Sequence, residues 1–262
     1  MQKLALITGA SSGIGAEAAR ELARAGMRVV LVARDEGRLA AVADSIGGSA
    51  SFEVCDASSG EAVLELARRI RRSHGVPDVV VNCAGLGQWK RIEDTDPSEA
   101  LRMIGAPYLA AFNMTHAFMR DMLERRSGIL VHVNSPACYM AWPGAVGYTA
   151  ARAALRGLHE ALRQDLVGTG VRSCHVVFGK VASGYFEHNP GAEAHMPGIA
   201  NTIRTLTPEE CGRVLAEVVR RPRHETIHPF LLRVYRWNHA VAPWLVRWLL
   251  LKTGARRTPA GQ

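Results

Sequence analysis

Two hydroxyl side chains that could act together, Ser135 and Tyr148, lie thirteen residues apart, with a loop containing glycine and proline between them. The loop connects the apolar run 128–134 to a helical pattern that begins near residue 147, so we expect both hydroxyls to face one pocket. A phenol, with a pKa of about 10, is a poor acid or base near neutral pH unless a cation stabilises the phenolate. Arg152 follows Tyr148 at a four-residue spacing, which places both side chains on one face of a helix. Two hydroxyl groups in one pocket, with a cation one helical turn away, are residue types suited to acid–base chemistry.

A glycine-rich turn near residue 10 predicts a dinucleotide site. The segment reads Thr8-Gly9-Ala10-Ser11-Ser12-Gly13-Ile14-Gly15, after the apolar run 4–7 and before a helical pattern. Glycine lets a strand turn sharply into a helix, and a diphosphate can then approach the free N–H groups and positive dipole of that helix. Glycine clusters also form ordinary tight turns, but the strand before and the helix after favour a cofactor. The residues expected at the cofactor are Gly9, Ser11, Ser12, Gly13, Ile14 and Gly15.

The residues after the second apolar run, 28–33, bear on which nicotinamide cofactor binds. Arg34 stands at the carboxyl end of this run, where enzymes that prefer NAD usually have an acid that binds both ribose hydroxyls. A guanidinium suits the additional 2′-phosphate of NADP instead. Asp35 follows directly, and Arg38 offers a second cation. We therefore predict NADP(H), while the alternative that both arginines are solvated residues at a helix start stays open.

Three later motifs, together with the glycine spacing, resemble the short-chain dehydrogenase/reductase family. They are Asn82-Cys83-Ala84-Gly85, Ser135 with Tyr148, and Gly179-Lys180-Val181-Ala182-Ser183. The resemblance covers most of the chain. It implies an α/β fold with a single doubly wound, Rossmann-like domain, whose mainly parallel sheet of about seven strands is flanked by helices. It also implies a nicotinamide cofactor and hydride transfer at a carbonyl or alcohol carbon.

The same resemblance assigns roles to single residues of the expected cofactor site. Asp56 would contact the adenine edge, although an acid at a helix start explains it nearly as well. Asn82 would brace the central strands at the switch point of the sheet. The other cofactor residues would be Ala57 through its backbone, Ala84 and Gly85 at the adenosine ribose, Tyr148 and Arg152 at the nicotinamide ribose, and Val181 and Ser183 at the carboxamide. The catalytic residues would be Ser135, Tyr148 and Arg152.

The sequence departs from the family pattern at several positions of this site. Arg152 stands where the family has the lysine of its Tyr-x-x-x-Lys motif. Arginine keeps the positive charge but does not lose a proton, so a relay through an amine must run through ribose hydroxyl and water instead. Pro107 replaces the family's active-site asparagine, and it predicts a helix kink that leaves the Met103 carbonyl unpaired. Cys83 and Phe178 replace an asparagine and a proline.

Composition and charge restrict the class of protein further. The 262 residues, of which 48% are hydrophobic and 21% charged, suffice for one large core and agree with a single α/β domain. The five cysteines lack metal-ligand spacing, so we expect reduced thiols and no metal site. The net charge is +8, yet no basic run with interleaved aromatics occurs in the first 200 residues, which argues against nucleic acid. The start shows no secretory signal pattern, and we expect a cytoplasmic protein.

Residues 227–253 form a distinct C-terminal pattern. They contain three of the five tryptophans, together with Arg233, Arg236, Arg247 and, in the middle, Pro243. These residues argue against a membrane span, which needs about twenty uninterrupted apolar residues. A broken amphipathic helix remains, which could pack over the substrate pocket or a partner subunit, or lie in a membrane interface. We divide the chain into an NADP-binding catalytic domain (1–228), this amphipathic segment (229–254) and a disordered tail (255–262).

These observations favour an NADPH-dependent oxidoreductase that transfers hydride between the nicotinamide and a hydrophobic ketone, lipid, steroid or ketide. Its pocket would be lined by Trp89, by the loop 137–143 and by the segment 185–197. The alternative is a dinucleotide-binding sensor or scaffold without turnover, which kept the cofactor groove while its lysine and asparagine changed. The expected partners are a hydrophobic small molecule and further copies of the chain, in a homodimer or homotetramer. Peripheral membrane contact stays open for the C-terminal segment.

Overall fold

The computed structural model describes residues 2–184 and 195–254. The strands in this part of the chain are Leu4–Thr8 (β1), Arg28–Ala33 (β2), Ala50–Val54 (β3), Val79–Asn82 (β4), Gly128–Asn134 (β5), Val171–Phe178 (β6) and Glu225–His228 (β7). They form one sheet in the order β3-β2-β1-β4-β5-β6-β7, and every neighbouring pair is parallel. The strand order reverses between β1 and β4, which creates a topological switch point. The predicted doubly wound, Rossmann-like α/β fold is confirmed.

Helices cover both faces of this sheet. They span Gly13–Arg24 (α1), Glu36–Ile46 (α2), Gly60–Ser73 (α3), Pro97–Ile104 (α4), Ala110–Glu124 (α5), Val146–Asp165 (α6), Pro208–Arg220 (α7), Phe230–Val241 (α8) and Pro243–Thr253 (α9). On one face the core is formed with α1, α2 and α7, and on the other with α3 and α5. The central strands β1 and β4 are buried along their whole length, as parallel strands covered on both faces require.

Capping residues explain where two of the helices begin. Asp96 and Glu99 form a capping box at the start of α4, whose first residue is Pro97. Thr207 and Glu210 form the same arrangement at the start of α7, which also begins with a proline. A capping box satisfies N–H groups that the first helical turn leaves unpaired, and a proline in the first position loses no hydrogen bond there.

A turn of π-helix at Gly105–Leu109 separates α4 from α5. Pro107 lies inside this turn, and because proline has no N–H it cannot bond to the carbonyl of Met103. The chain widens here, and the N–H of Ala110 donates to the carbonyl of Gly105. The irregularity predicted from Pro107 is therefore present as a π-turn, a feature frequent at functional sites.

The C-terminal segment folds as the helices α8 and α9, which are separated just before Pro243. Leu232, Val246 and Leu250 are buried against the loop after β5 and against β6 and β7, so the segment packs on the domain. Within the residues that the structure describes, no helix is long and apolar enough to cross a bilayer. The stretch expected to be disordered, 255–262, lies outside the described residues.

Candidate active site

A cleft of about 1130 Å³ lies beside the carboxyl ends of β1, β2, β4 and β5. This is the switch-point position at which doubly wound sheets bind their ligands. Sites for a single small molecule usually enclose about 300–1,000 Å³, and this cleft lies just above that range. One half is formed by the glycine turn and the ends of the strands, and the other by the loop after β5 and by α8 and α9.

The glycine turn is packed so closely that it excludes side chains. Gly9 has a φ of +66°, and a Cβ built on it would lie 2.9 Å from the Cα of Ala84. A Cβ on Gly15 would lie 2.3 Å from the carbonyl oxygen of Gly9. Ser12 is the N-cap of α1, but its side chain makes no capping hydrogen bond. The start of α1 thus faces the cleft with unpaired N–H groups, an arrangement that fits a diphosphate.

Thr8, which the sequence analysis did not single out, holds the two cofactor loops together. Its buried hydroxyl accepts hydrogen bonds from the N–H groups of Cys83 and Ala84, both at 3.1 Å. Thr8 also donates to the carbonyl of Val81 at 3.4 Å. The loop after β4 is thereby fixed against the glycine turn, and Ala84 and Gly85 lie on the cleft wall as expected.

The charged residues after β2 divide into two groups. The Asp35 carboxylate caps α2 by accepting the N–H of Arg38 at 3.0 Å, and it also pairs with the guanidinium of Arg38 at 3.3 Å. The acid next to Arg34 is thus engaged with its own helix. Arg34 is exposed and lines the cleft, where it offers a positive charge to a ligand.

The loop expected at the adenine, Asp56 to Ser58, is fixed by hydrogen bonds. The Asp56 carboxylate accepts from the Ser58 hydroxyl at 2.7 Å and from the Ser58 N–H at 3.0 Å, and these bonds lower the pKa of Asp56. Oδ1 accepts both of these bonds, so neither of them engages Oδ2. Asn113 of α5, another residue missed from the sequence, donates to the carbonyls of Ala57 and Ser58 at 3.1 Å. Asp56 and Ala57 both line the cleft.

Asn82 was named among the cofactor residues from the family resemblance. In the described part of the structure it is not one of the residues that line the cleft. Its side chain is buried, and its amide nitrogen lies 3.3 Å from Nδ1 of His132 on the neighbouring strand β5. Asn82 therefore connects the two central strands β4 and β5, and its contact with a cofactor stays a prediction.

The two predicted hydroxyl residues lie on the wall of the same cleft. Ser135 follows β5 directly, and its N–H donates to the side-chain oxygen of Asn134 at 2.9 Å. Tyr148, in the first turn of α6, is buried, with its ring 5.7 Å from the ring of Trp89 and 6.5 Å from that of Trp142. The indole rings restrict the access of water to the phenol.

Arg152 lies one helical turn after Tyr148 and is also buried. Its guanidinium carbon is 5.1 Å from the centre of the Tyr148 ring, and its Nη1 donates to the carbonyl of Val133 at 3.3 Å. A Cβ on Gly85 would lie 2.7 Å from Nη2 of Arg152, so the glycine provides the space that the guanidinium occupies. The structure therefore brings Arg152 to the phenol, to the end of β5 and to the loop after β4.

The other half of the cleft is apolar. Its walls come from Trp89, Met140, Trp142, Met196, Pro197, Ile199, Ile203, Leu232, Tyr235, Leu245, Val246, Leu249 and Leu250. Trp89, Met140 and Trp142 were expected here. Cys138, from the same loop, packs instead against the C-terminal helices. The expected segment 185–197 is described only from residue 195. The helices α8 and α9 supply much of the wall, which agrees with one of the placements left open for residues 229–254, packing over the pocket.

A polar chain runs behind the site from Asn134 to the last strand. The amide nitrogen of Asn134 lies 3.0 Å from the carbonyl of Arg152 and 2.9 Å from Nε2 of His175. Nδ1 of His175 lies 3.2 Å from the hydroxyl of Tyr139, which donates to the Glu225 carboxylate. Hydrogen bonding from His175 and Tyr139 lowers the pKa of Glu225 to about 2. These hydrogen-bonded side chains fix Asn134, and Asn134 in turn holds the backbone at Ser135 and Arg152.

Residues 2–184 and 195–254 contain no group of three or more histidine, cysteine or acidic side chains placed to hold a metal ion. The five cysteines are free thiols. Burial raises the pKa of the Cys83 thiol, beside the cofactor half of the cleft, to about 12.

A glycine cradle at the switch point of a doubly wound sheet, beside a serine and a tyrosine hydroxyl, defines a class of dinucleotide-dependent oxidoreductases. The sequence profile of the short chain dehydrogenase family matches residues 3–193, and the chain belongs to this family. The resemblance inferred from the motifs is thereby confirmed.

Bacterial relatives are similar to this chain over different shares of its length. The probable oxidoreductase EphD of Mycobacterium tuberculosis is 37% identical over 172 residues, which are 64% of this chain and 29% of EphD, so the chain spans less than a third of that relative. An uncharacterized oxidoreductase of the same species is 32% identical over 233 residues, covering 88% of this chain and 91% of the relative.

Two solved structures are similar to this one. The alcohol dehydrogenase of the archaeon Thermococcus sibiricus, complexed with 5-hydroxy-NADP, is 27% identical with a TM-score of 0.76 and covers 87% of this chain and 96% of its own. A metagenomic short-chain oxidoreductase in complex with NADP is 29% identical with a TM-score of 0.74, over 86% and 96% of the two chains.

Proposed function

We propose that this member of the family is an NADPH-dependent reductase or dehydrogenase that acts at the carbonyl or alcohol carbon of an apolar substrate. The observation that carries the proposal is the position of Ser135, Tyr148 and Arg152. They line the cleft where its glycine-turn half meets its apolar half. A substrate oxygen in the apolar half would therefore be next to both a cofactor site and two hydroxyl groups.

Several residues support NADP(H) as the cofactor. The unpaired N–H groups at the start of α1 suit the diphosphate, and the charge of Arg34 suits a 2′-phosphate, since Asp35 is engaged with Arg38. Two solved relatives were obtained with NADP or 5-hydroxy-NADP. When bound, the cofactor would supply or accept the hydride.

The chain's own residues would handle the proton and exclude water. In the reductive direction the Tyr148 phenol donates a proton to the substrate oxygen, and the Ser135 hydroxyl donates a hydrogen bond to the same oxygen. Arg152 keeps a fixed positive charge over the phenol ring, which stabilises the phenolate that remains. Trp89 and Trp142 pack around the phenol and keep water from it.

The test is NADPH oxidation with a panel of apolar ketones and aldehydes. We expect Tyr148→Phe to lower turnover by about 10²–10⁴-fold, the usual contribution of general acid–base catalysis, with little change in NADPH affinity. Tyr108→Phe is the matched control, because Tyr108 lies in the π-turn beside Phe112 and away from the cleft wall. Full activity of Tyr148→Phe would show that the phenol is not the proton donor.

A second candidate function, a dinucleotide-binding sensor or scaffold without turnover, is favoured by one feature. A guanidinium does not lose its proton, so Arg152 cannot pass one on as a lysine amine can. NADPH binding by titration, without NADPH consumption over a broad panel of carbonyl compounds, would support this alternative.

A further inference from the structure

The outward surface of α8 and α9 is rich in exposed aromatic side chains. Trp244 is 71% exposed, Phe230 70%, Trp237 65% and Trp248 53%. On each helix these residues recur at helical spacing, with Phe230 and Trp237 on α8, and Trp244, Trp248 and the exposed Leu251 on α9. We call these five residues the outer aromatic surface.

Packing among residues 2–184 and 195–254 does not account for this surface. The inward side of the same two helices is already apolar, with Leu232, Val246 and Leu250 buried against the domain. The helices are therefore apolar on two opposite sides, and only one side is covered by the described residues. An extended exposed apolar surface of this kind marks a site that binds another protein or a membrane.

The charges around the surface indicate what it binds. Residues 227–254 contain no aspartate or glutamate, and the net charge of the chain is +8. The Arg233 guanidinium lies 5.8 Å from the centre of the Phe230 ring, and the Lys252 ammonium 4.7 Å from that of Trp248. Arg247 is exposed on the same face as Trp244 and Trp248. Aromatic rings with adjacent cations and no acids complement the anionic headgroups of a lipid bilayer.

We propose that α8 and α9 seat the protein on an anionic lipid bilayer through the outer aromatic surface. The helices have 12 and 11 residues and lie in the interface without crossing the bilayer. Tryptophan rings sit at headgroup depth, and the arginine and lysine side chains reach the phosphates. Charge complementarity favours lipid over a second copy of this chain, because two surfaces that both carry cations and no acids repel each other.

The two helices also lie between the proposed bilayer surface and the apolar half of the cleft. Leu245 and Leu249 of α9 line the apolar half of the cleft, while Trp244 and Trp248 point outward from the same helix. A single layer of helix would then separate the bilayer from the cleft. This extension rests on the proposed function and narrows the substrate class to carbonyl or alcohol compounds that partition into lipid.

The test is co-sedimentation of the full chain with vesicles of phosphatidylcholine, with and without phosphatidylglycerol. We expect binding to vesicles that contain phosphatidylglycerol and at least about tenfold weaker binding to phosphatidylcholine alone, because each surface cation adds to the attraction toward anionic lipid. The double variant Trp244→Ser with Trp248→Ser should lose binding by about tenfold or more. The charge variant Arg247→Gln with Lys252→Gln should lose the preference for phosphatidylglycerol.

Leu64→Ser with Val167→Ser is the matched control, since these residues are 43% and 77% exposed on α3 and after α6, outside α8 and α9. The control should bind vesicles like the original chain. Brominated lipids should quench part of the tryptophan fluorescence in the original chain, and less in the tryptophan variant. Circular dichroism of every variant verifies that the fold is intact.

Absence of binding to anionic vesicles by the intact chain would overturn the proposal. Vesicle binding that persists in the tryptophan variant would also overturn it. A change of oligomeric state in that variant, with no lipid binding by the original chain, would identify a second copy as the occupant. The vesicle assay uses no substrate, so its failure and a failure of the proposed enzymatic activity are independent.

Discussion

The guanidinium of Arg152 combines contacts that a lysine ammonium would not reproduce. It lies over the ring of Tyr148, donates to the Val133 carbonyl and occupies space left by Gly85. The positive charge beside the phenol is fixed, since arginine stays protonated at all relevant pH values. The positive charge that the phenolate needs is therefore present. The route that returns a proton to Tyr148 is longer than a relay through a lysine amine, because it must run through ribose hydroxyl and water.

Substitution of this residue tests the proton route. We expect Arg152→Lys to keep or raise turnover, because an amine can relay a proton, and Arg152→Ala to lose it because the charge is gone. The measurement is steady-state NADPH oxidation between about pH 5 and pH 10, with NADPH titration as the control for folding. If Arg152→Lys binds NADPH but has no turnover, the planar fork itself is required and the relay argument fails.

Arg34 is the residue on which the choice of cofactor depends. We expect Arg34→Ala to weaken NADPH binding by about 1.5–3 kcal/mol, the range for a lost charge-assisted hydrogen bond, while NADH binding barely changes. Arg38→Ala should have a smaller effect, since that guanidinium pairs with Asp35. The measurement is the dissociation constant for both cofactors. Equal losses for NADPH and NADH would refute the assignment.

Single residues differ in how far the sequence revealed them. Ser135, Tyr148 and Arg152 could be predicted because their spacing lies within one loop and one helix. Thr8 and Asn113 were missed because their partners, Ala84 and Ala57, are 76 and 56 residues away in the sequence. No local pattern indicates a contact of that separation.

Among the elements, β5, β6 and α6 share a buried group of histidines. His132 on β5 and His159 on α6 are buried, with ring centres 6.2 Å apart, and His159 stacks on His175 of β6 at 5.2 Å. Nδ1 of His159 lies 2.8 Å from the Ser173 hydroxyl. Burial lowers the pKa of both His132 and His159 to about 3.

This group predicts that the fold weakens in mild acid. In the unfolded chain a histidine takes up a proton below about pH 6.5, whereas His132 and His159 stay neutral in the fold down to about pH 3. The unfolded state therefore binds more protons in this window, and the free energy of unfolding falls as the pH falls from about 6.5 toward 3. Each histidine contributes a slope of up to about 1.4 kcal/mol per pH unit.

The measurement is denaturant unfolding at several values between pH 7 and about pH 5, a range above the region where carboxylates titrate. His159→Gln keeps a polar side chain near Ser173 and removes one titrating group, so the slope should flatten. His116→Gln is the control, because His116 lies on α5 beside Phe112, outside the buried group. An unchanged slope in His159→Gln would contradict the prediction.

Whole elements were more predictable than their environment. Strands and helices could be located because apolar runs and helical patterns mark them. The apolar runs 28–33 and 128–134 coincide with β2 and β5, and the helix expected from near residue 147 begins at Val146. The side of α8 and α9 that packs on the domain could not be predicted from the sequence. Both sides of these helices are apolar, and periodicity alone does not tell which side faces the domain.

At the scale of the whole molecule, association of the chain with itself stays a prediction. Leu101 on α4 and Phe112 on α5 are exposed apolar residues, which suit a subunit interface away from α8 and α9. We expect a homodimer or homotetramer by light scattering, and a lower mass for Leu101→Ser with Phe112→Ser. A monomer at all accessible concentrations would contradict this.

The two halves of the cleft depend differently on the C-terminal helices. The glycine turn, Arg34 and the loop after β4 belong to residues 1–228, whereas Leu232, Val246 and Leu250 cover the apolar half. We therefore expect a chain that ends after residue 228 to bind NADPH with nearly unchanged affinity. It should lose turnover of apolar substrates and the binding to anionic vesicles, because the wall of the apolar half and the outer aromatic surface are both removed.

Removal of the helices uncovers apolar surface on the loop after β5, so a point variant accompanies the truncation. Leu245→Ala with Leu249→Ala shortens two side chains of the cleft wall, and it leaves the buried contacts of Val246 and Leu250 and the outer aromatic surface in place. This variant should raise the KM for apolar substrates while NADPH affinity and vesicle binding persist. NADPH titration, turnover and co-sedimentation of both proteins form the measurement. Loss of NADPH binding in a truncated chain that still shows the circular dichroism of a folded protein would mean that the helices support the cofactor half as well.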